Sequence, residues 1–575
     1  MTPTTFATGS AVASKIDMQN RLFAELSAMF GREVPLYDKS LLVNKACNQT
    51  VCALLAKLHP GFAMSDEELD RTSGERHGAI RIGRPDEYRW IGRLFACFAM
   101  EPHNFYDMTN VGAKSQPIIA TAFRSTLRPE HRVFSSVLMT NYFDPATRER
   151  IEGLVGKRTV FSDRTKQLIE KSERDGGLDW NDANALIKEC TERIFKWTGK
   201  ARDHALYAEL SAAGFKIAAD ISCFQSHHLN HLTPNTFCMD LYTAAMKHCM
   251  GEVDAAWFEA RAGTVLARLV RQADHDFMKL HFKHVPLEEI AAFKSGSVSA
   301  ADIGAAARAL ASTFAGPSFA LAKLKHAGFK DFTEGPSEDT PVLLRQDAYK
   351  ALTEAVEFTE NDGTVVQSTH TARFGEIEER FYACTPKGRK LYDECLAVAD
   401  AAREKDPAWP KRDMAGYEAA YAKPFAVFPK TLVELITGGF VYARFVATPA
   451  GEAKGVAARN AGESLPTDLF ELVRMGYADY EGLRYEDFLP VSAAGIFASN
   501  LQQYGTKSTA AVKPTYTQAM LEEILGKRII DATTVYAGVE AESKLETYGK
   551  LGLLERIPAA ERAELERAVA AYRGI

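Results

Sequence analysis

Two β-like regions of this chain are each broken by a long run of helical periodicity, and that alternation constrains the fold more than any other feature. The first region holds ERHGAIRIG at 75–83, which reads as a strand running into a turn at Gly83 and Pro85, and QPIIATAFRST at 116–126, which reads as another strand. Between them DEYRWIGRLFACFAM (86–100) places Ile91, Leu94, Phe95 and Phe98 on one face behind an acidic first turn, the pattern of an amphipathic helix. Residues 127–216 change to helical spacing and read as an insertion. Strand character returns at IAADISCFQSHHLNHLT (217–233), a helix follows from Asp240 to Met250, and an Ala-rich helical run fills 251–335. Residues 336–400 are β-like again, in PVLLRQDAYKALTEAVEF and TVVQSTHTARFGEIEERFYACT. Each region opens on a His-bearing strand, passes through a helix and continues into more strands. A duplicated strand–helix–strand module is therefore expected. Ahead of it, residues 1–75 read as an N-terminal helical cover, with one helix over 16–31 ended by Gly31 and a second from Lys39 to Leu58. From 401 to 575 short helices alternate with aromatic strands such as GFVYARFVAT (439–448), a region expected to complete the pocket. The fold class that follows is α+β.

Composition removes several function classes. Across 575 residues, 69 Lys and Arg stand against 75 Asp and Glu, a net charge of −6, which argues against a dedicated nucleic-acid binder. No uninterrupted apolar run reaches the roughly 18 residues of a membrane span. The first residues lack the charged-then-apolar pattern of a secretion signal. The nine cysteines are odd in number and include no CxxC pair, so buried free thiols in a reducing cytoplasm are expected rather than disulfides or a thiolate zinc site.

Three short segments carry the residue types that chemistry needs. In a strand, alternation puts His77, Ala79 and Arg81 on one face and Gly78 and Ile80 on the other. The small Ala79 leaves room for a ligand between an imidazole suited to a metal and a guanidinium suited to a carboxylate. The plainer reading is a surface strand with a salt-bridged Arg and a hydrogen-bonded His. In His227-His228-Leu229-Asn230-His231, strand geometry puts His227 and His231 together and His228 opposite. One ligand or two are equally compatible with that, and so is a polar turn with solvated imidazoles. In Phe374-Gly375-Glu376-Ile377-Glu378-Glu379-Arg380-Phe381, Glu376, Glu378 and Arg380 share a face. Neighbouring carboxylates repel unless a cation lies between them, and a metal or Arg380 can supply it. The plainer reading is a solvated edge strand. Jointly the segments offer two His and a carboxylate, a set that leaves three open positions on Fe(II) for a bidentate 2-oxo acid and dioxygen. No P-loop, GxGxxG, GxSxG or HExxH motif is present.

At these residues the sequence resembles a known family. ERHGAIRIG, NHLTPNT (230–236), TPVLLRQ (340–346), HTARFGEIEER (370–380), TPKGRKLYDE (385–394) and YEDFLPVSAAGIFASNL (485–501) are similar, in order, to motifs of the 2-oxoadipate dioxygenase/decarboxylase family, also called hydroxyglutarate synthases. The resemblance implies a fold related to the vicinal-oxygen-chelate enzymes, with a central β-sheet (half-barrel) enclosing a metal site and large helical insertions. It implies Fe(II)-dependent conversion of 2-oxoadipate and dioxygen to 2-hydroxyglutarate and carbon dioxide, a step in lysine breakdown. It carries over His77, His231 and Glu376 as metal ligands, Arg81 as the catalytic clamp on the substrate carboxylate, and Val491 and Ser492 as pocket wall. Glu376 is preferred over Glu378 because FGEIEER also resembles the carboxylate strand of 4-hydroxyphenylpyruvate dioxygenase, where the first Glu is the ligand. The partners implied are a small 2-oxo dicarboxylic acid and dioxygen, with no nucleic acid and no membrane. His227, His228 and His370 are candidates for supporting the ligands. A competing reading keeps the ligands and changes the metal, giving a glyoxalase-like isomerase or lyase that works without dioxygen.

Overall fold

Pro35, rather than Gly31, sets the first helix boundary. In the computed structural model, which describes residues 12–73, 76–111, 115–125, 131–330, 332–337, 339–406, 408–463, 465–489 and 507–574, the first helix runs Lys15–Glu33 and passes through Gly31. The Ser14 side chain caps it by accepting from the Asp17 backbone N–H. The ring of Pro35 pushes Val34 out of helical geometry, to φ −128° and ψ 84°, and opens the next helix, Pro35–Leu58. Both helices bury one apolar stripe, including Leu22, Phe23, Phe30, Val43 and Leu54, against the rest of the larger core.

The strands are β1 (Arg76–Ile82), β2 (Met100–Asp107), β3 (Ile118–Ser125), β4 (His131–Leu138), β5 (Lys200–Arg202), β6 (His231–Pro234), β7 (Leu344–Ala348), β8 (Thr353–Thr359), β9 (Val365–Thr371), β10 (Glu376–Arg380), β11 (Ala443–Ala447) and β12 (Ala478–Gly482). They form small sheets in a mixed α+β fold. One sheet has the order β2-β3-β4-β1-β6, another is β5-β8-β9, and β10-β7 and β11-β12 are two-stranded. Within the large sheet β1 runs parallel to β4 and antiparallel to β6, and β4 runs antiparallel to β3. A parallel bridge at Asn235–Glu378 links the end of β6 to β10, which is antiparallel to β7. That bridge joins the sheet carrying His77 and His231 to the strand carrying Glu376.

Two stretches differ from the sequence expectation. Residues 217–223 are helical, in a helix Lys216–Cys223, and the strand begins only at His231. His227 and His228 therefore do not share a strand face with His231. The physical reason is the run IAADISC, whose apolar residues also satisfy helical spacing and which is buried throughout. The stretch 127–216 is not helical throughout, since it carries β4 and the short β5. β4 is buried on both faces, so it lacks the polar alternation that marks a half-exposed strand. β2, with Pro102 inside it, was also not anticipated. It forms the sheet edge, where a missing backbone N–H is tolerated.

The larger core joins the N-terminal helices, the five-stranded sheet and the helices Met239–Cys249, Ala255–Gln272 and Ala300–Phe314. A second core around Tyr382, Phe425, Leu435, Phe445, Leu472 and Leu551 holds the C-terminal region. All nine cysteines are free, as expected from their number and spacing. Among the described residues no helix is long and apolar enough to cross a membrane.

Candidate metal centre

The register of β1 against β6 brings two histidines to one face. His77 lies opposite Thr233 and Ala79 opposite His231, so all four side chains share a face, staggered about the Gly78–Leu232 pair. Gly78 permits this close approach. A Cβ there would meet Leu229 Cδ1 at 3.1 Å and the His231 carbonyl oxygen at 3.2 Å. The His77 and His231 rings stand edge to face, with centroids 5.5 Å apart. Beside them, β10 brings in Glu376. Gly375, just before it, gives way to the Tyr349 ring, which a Cβ would strike at 2.3 Å.

Glu376 Oε2 lies 3.3 Å from His77 Nε2 and 3.4 Å from His231 Nε2. One donor atom from each of the three residues falls within 4.8 Å of the other two, and all three residues are buried. Thr233 Oγ1 donates to Glu376 Oε2 at 3.0 Å, and Gln346 Nε2 reaches it at 3.4 Å. Glu376 Oε1 and both nitrogens of His231 have no hydrogen-bond partner. Buried polar atoms are rarely left unsatisfied, and a cation among these three would satisfy them. The residues present therefore fit a metal.

The electrostatics match that role. Burial pushes the His231 imidazole down to about 4, so it is neutral and able to donate a lone pair. Burial also raises the Glu376 carboxyl, but the facing His231 and His77 outweigh it and hold the group below its ordinary value. His77 is raised, because Glu378 and Glu376 outweigh the opposing effect of burial. Glu378, expected on the same face as Glu376, does not join the three donors. Its carboxylate is held by Arg380 at 2.7 Å and Arg132 at 3.2 Å, and its Oε2 lies 2.7 Å from His77 Nδ1. Those partners keep it well below the usual carboxylate range against the penalty of burial. Phe488 packs edge-on against His77 at 5.0 Å and Phe374 lies 5.1 Å from His231, which makes the surroundings dry.

Arg81, next on the His77 face, is buried beside this centre. Its Nη1 lies 2.5 Å from Asp220 Oδ2 and 2.7 Å from Asn230 Oδ1. Val491 and Ser492 lie outside the described residues. His227 faces Glu87 at 3.6 Å, away from the three donors, and His228 and His370 gather around Asp220. Sequence reasoning missed Arg132, Thr233, Gln346 and Asp220. Thr233 was in plain view, two residues after His231 and so on the same strand face. Arg132 was hidden by reading β4 as helix, and Asp220 by reading its helix as strand.

Two imidazoles and one carboxylate converging from three strands define a candidate mononuclear centre of the two-His, one-carboxylate class. The chain belongs to the 2-oxoadipate dioxygenase/decarboxylase family, whose sequence profile matches residues 22–259 and 319–500. It is 32% identical over 527 residues to the 2-oxoadipate dioxygenase/decarboxylase of Pseudomonas putida, covering 90% of this chain and 94% of the relative. It is 29% identical over 536 residues to that of Escherichia coli, covering 92% and 97%. The crystal structure of the hydroxyglutarate synthase from Pseudomonas putida in complex with 2-oxoadipate superimposes with a TM-score of 0.65 at 31% identity, covering 95% of this chain and 100% of that one.

Proposed function

We propose that this protein is an Fe(II)-dependent dioxygenase/decarboxylase that converts 2-oxoadipate and dioxygen to 2-hydroxyglutarate and carbon dioxide. The observation that carries this reading is the convergence of His77, His231 and Glu376 in a chain whose Pseudomonas putida relative was crystallised with 2-oxoadipate. The three residues hold the iron, and β1, β6 and β10 form the floor of a half-barrel of the vicinal-oxygen-chelate kind. Iron held there supplies dioxygen activation and the redox chemistry of the decarboxylation.

The chain's own part is to bind, orient and exclude water. The Glu378 carboxylate, 2.7 Å from His77 Nδ1, favours the proton on that nitrogen and leaves Nε2 for the metal. Thr233 and Gln346 fix Glu376 by donating to Oε2. Arg81 grips the distal carboxylate of the substrate, and Asp220 and Asn230 set the angle of its guanidinium. A substrate held at both ends lies in one orientation, which removes rotational freedom before the reaction. Phe488 and Phe374 keep the reacting end dry, and Val491 and Ser492 form pocket wall. A cytoplasmic place in lysine breakdown, with no nucleic-acid or membrane partner, belongs to the same reading.

The test is anaerobic reconstitution with Fe(II) and 2-oxoadipate, followed by addition of dioxygen. One dioxygen consumed per carbon dioxide and 2-hydroxyglutarate formed supports the proposal. Turnover with Zn(II) or Ni(II) in the absence of dioxygen would favour the isomerase or lyase reading instead.

A further inference from the structure

We propose that Asp220, His228 and His370 form a second buried site for a divalent cation of the zinc class, joined to Arg81 through the Asp220 carboxylate. The three residues come from separate elements: the helix Lys216–Cys223, the irregular segment after it, and β9. One donor atom from each lies within 4.8 Å of the other two, and all three are buried. Asp220 Oδ1 is 3.2 Å from His228 Nε2 and 3.4 Å from His370 Nε2. The corresponding distances about Glu376 are 3.3 and 3.4 Å, so the carboxylate-to-imidazole spacing is alike in the two clusters. A tetrahedral cation with bonds of about 2.0–2.1 Å sets its ligands roughly 3.3 Å apart.

Hydrogen bonding alone leaves this cluster unsatisfied. Asp220 Oδ1, His370 Nε2 and both nitrogens of His228 make no hydrogen bond, although each atom is buried. Histidine–carboxylate bonds of good geometry are shorter, at about 2.7–2.9 Å. Tyr207 explains how His370 is prepared. Its hydroxyl donates to the Thr369 carbonyl oxygen at 3.4 Å and lies 2.9 Å from His370 Nδ1. With Nδ1–H donating to that hydroxyl, Nε2 presents a lone pair towards a carboxylate oxygen, an arrangement that calls for a cation between them. Trp197 lies 4.7 Å from the His228 ring and stacks on His370 at 5.8 Å, and Phe224 lies 4.6 Å from His370. These rings enclose the cluster in apolar surroundings.

The second oxygen of Asp220 holds Arg81. A cation on Oδ1 would fix the carboxylate that aims the proposed substrate clamp. That consequence rests on the clamp reading, whereas the site itself does not, and metal content tests the site without reference to turnover. Metal-free full-length protein is titrated with Co(II), followed by its d–d absorption, and metal is counted by elemental analysis. The expected result is two equivalents bound per chain, with one retained in Glu376→Ala and one in His228→Gln. A single equivalent in the unmodified chain, or one lost entirely in Glu376→Ala and fully kept in His228→Gln, would overturn the proposal. The titration of the unmodified chain decides the matter even where a variant fails to fold. Two equivalents in the unmodified chain, with KM for 2-oxoadipate unchanged in folded His228→Gln, would keep the site and remove its link to Arg81.

Discussion

His77 Nδ1 lies 2.7 Å from Glu378 Oε2, and the Glu378 carboxylate is in turn held by Arg380 and Arg132. This chain of contacts fixes the ring whose other nitrogen faces Glu376. Converting Glu378 to Gln removes the charge that favours a proton on Nδ1 and leaves two buried guanidinium groups less well compensated. The expected outcome for Glu378→Gln is an iron affinity lower by about 10–100-fold, together with reduced stability. Competition with a chromophoric chelator measures the first and urea unfolding the second. Unchanged iron affinity in the folded variant would remove Glu378 from the account.

The two carboxylates of β10 differ in consequence. Glu376→Ala, like His77→Ala and His231→Ala, is expected to lose the iron and all turnover, while Glu378→Gln still binds iron weakly. Elemental analysis with dioxygen uptake on each variant checks this. Full activity in Glu376→Ala with complete loss in a Glu378 variant would reverse the assignment.

Arg81 carries a planar fork that lysine cannot reproduce. Arg81→Lys is expected to raise KM for 2-oxoadipate by roughly 10–100-fold, the loss of a charge-assisted hydrogen bond worth about 1.5–3 kcal/mol. The effect on kcat should be smaller. Steady-state kinetics separates the two, and an unchanged KM would contradict the clamp.

Glu379, on the same strand as Glu376, gives a pH signature of its own. Burial pushes its carboxyl up to about 7, although Arg345 draws it down. In the unfolded chain it titrates near its ordinary value of 4.5. Between those values the folded protein binds the extra proton, so stability falls as pH rises through this window. Asp347, pushed up to about 6 by burial, adds a contribution of the same sign. Glu379→Gln is therefore expected to stabilise the protein at pH 8 by on the order of 1–3 kcal/mol, with the gain vanishing near pH 4. Urea midpoints at the two pH values test this, and an equal effect at both would contradict it.

Much of the centre was legible in the sequence because strand alternation is a local rule. HGAIR placed His77 and Arg81 on one face, and FGEIEER placed Glu376 and Glu378 on another, as the structure has them. What was not legible depends on pairing between distant segments. Nothing local states that β1 and β6 meet about Gly78 and Leu232, yet that register brings the two imidazoles together. The helix around Asp220 was hidden because a fully buried apolar run fits strand and helix spacing alike. The distinction between Glu376 and Glu378 came from the family resemblance. In the structure Arg132 and Arg380 lie against Glu378, whereas Glu376 Oε1 has no hydrogen-bond partner.

The most direct test of the central claim is a crystal grown anaerobically with Fe(II) and 2-oxoadipate, with diffraction recorded on both sides of the iron absorption edge. The account predicts an anomalous peak within about 2.0–2.2 Å of His77 Nε2, His231 Nε2 and a Glu376 carboxylate oxygen. A loaded, active crystal with no iron peak between those three side chains would contradict it.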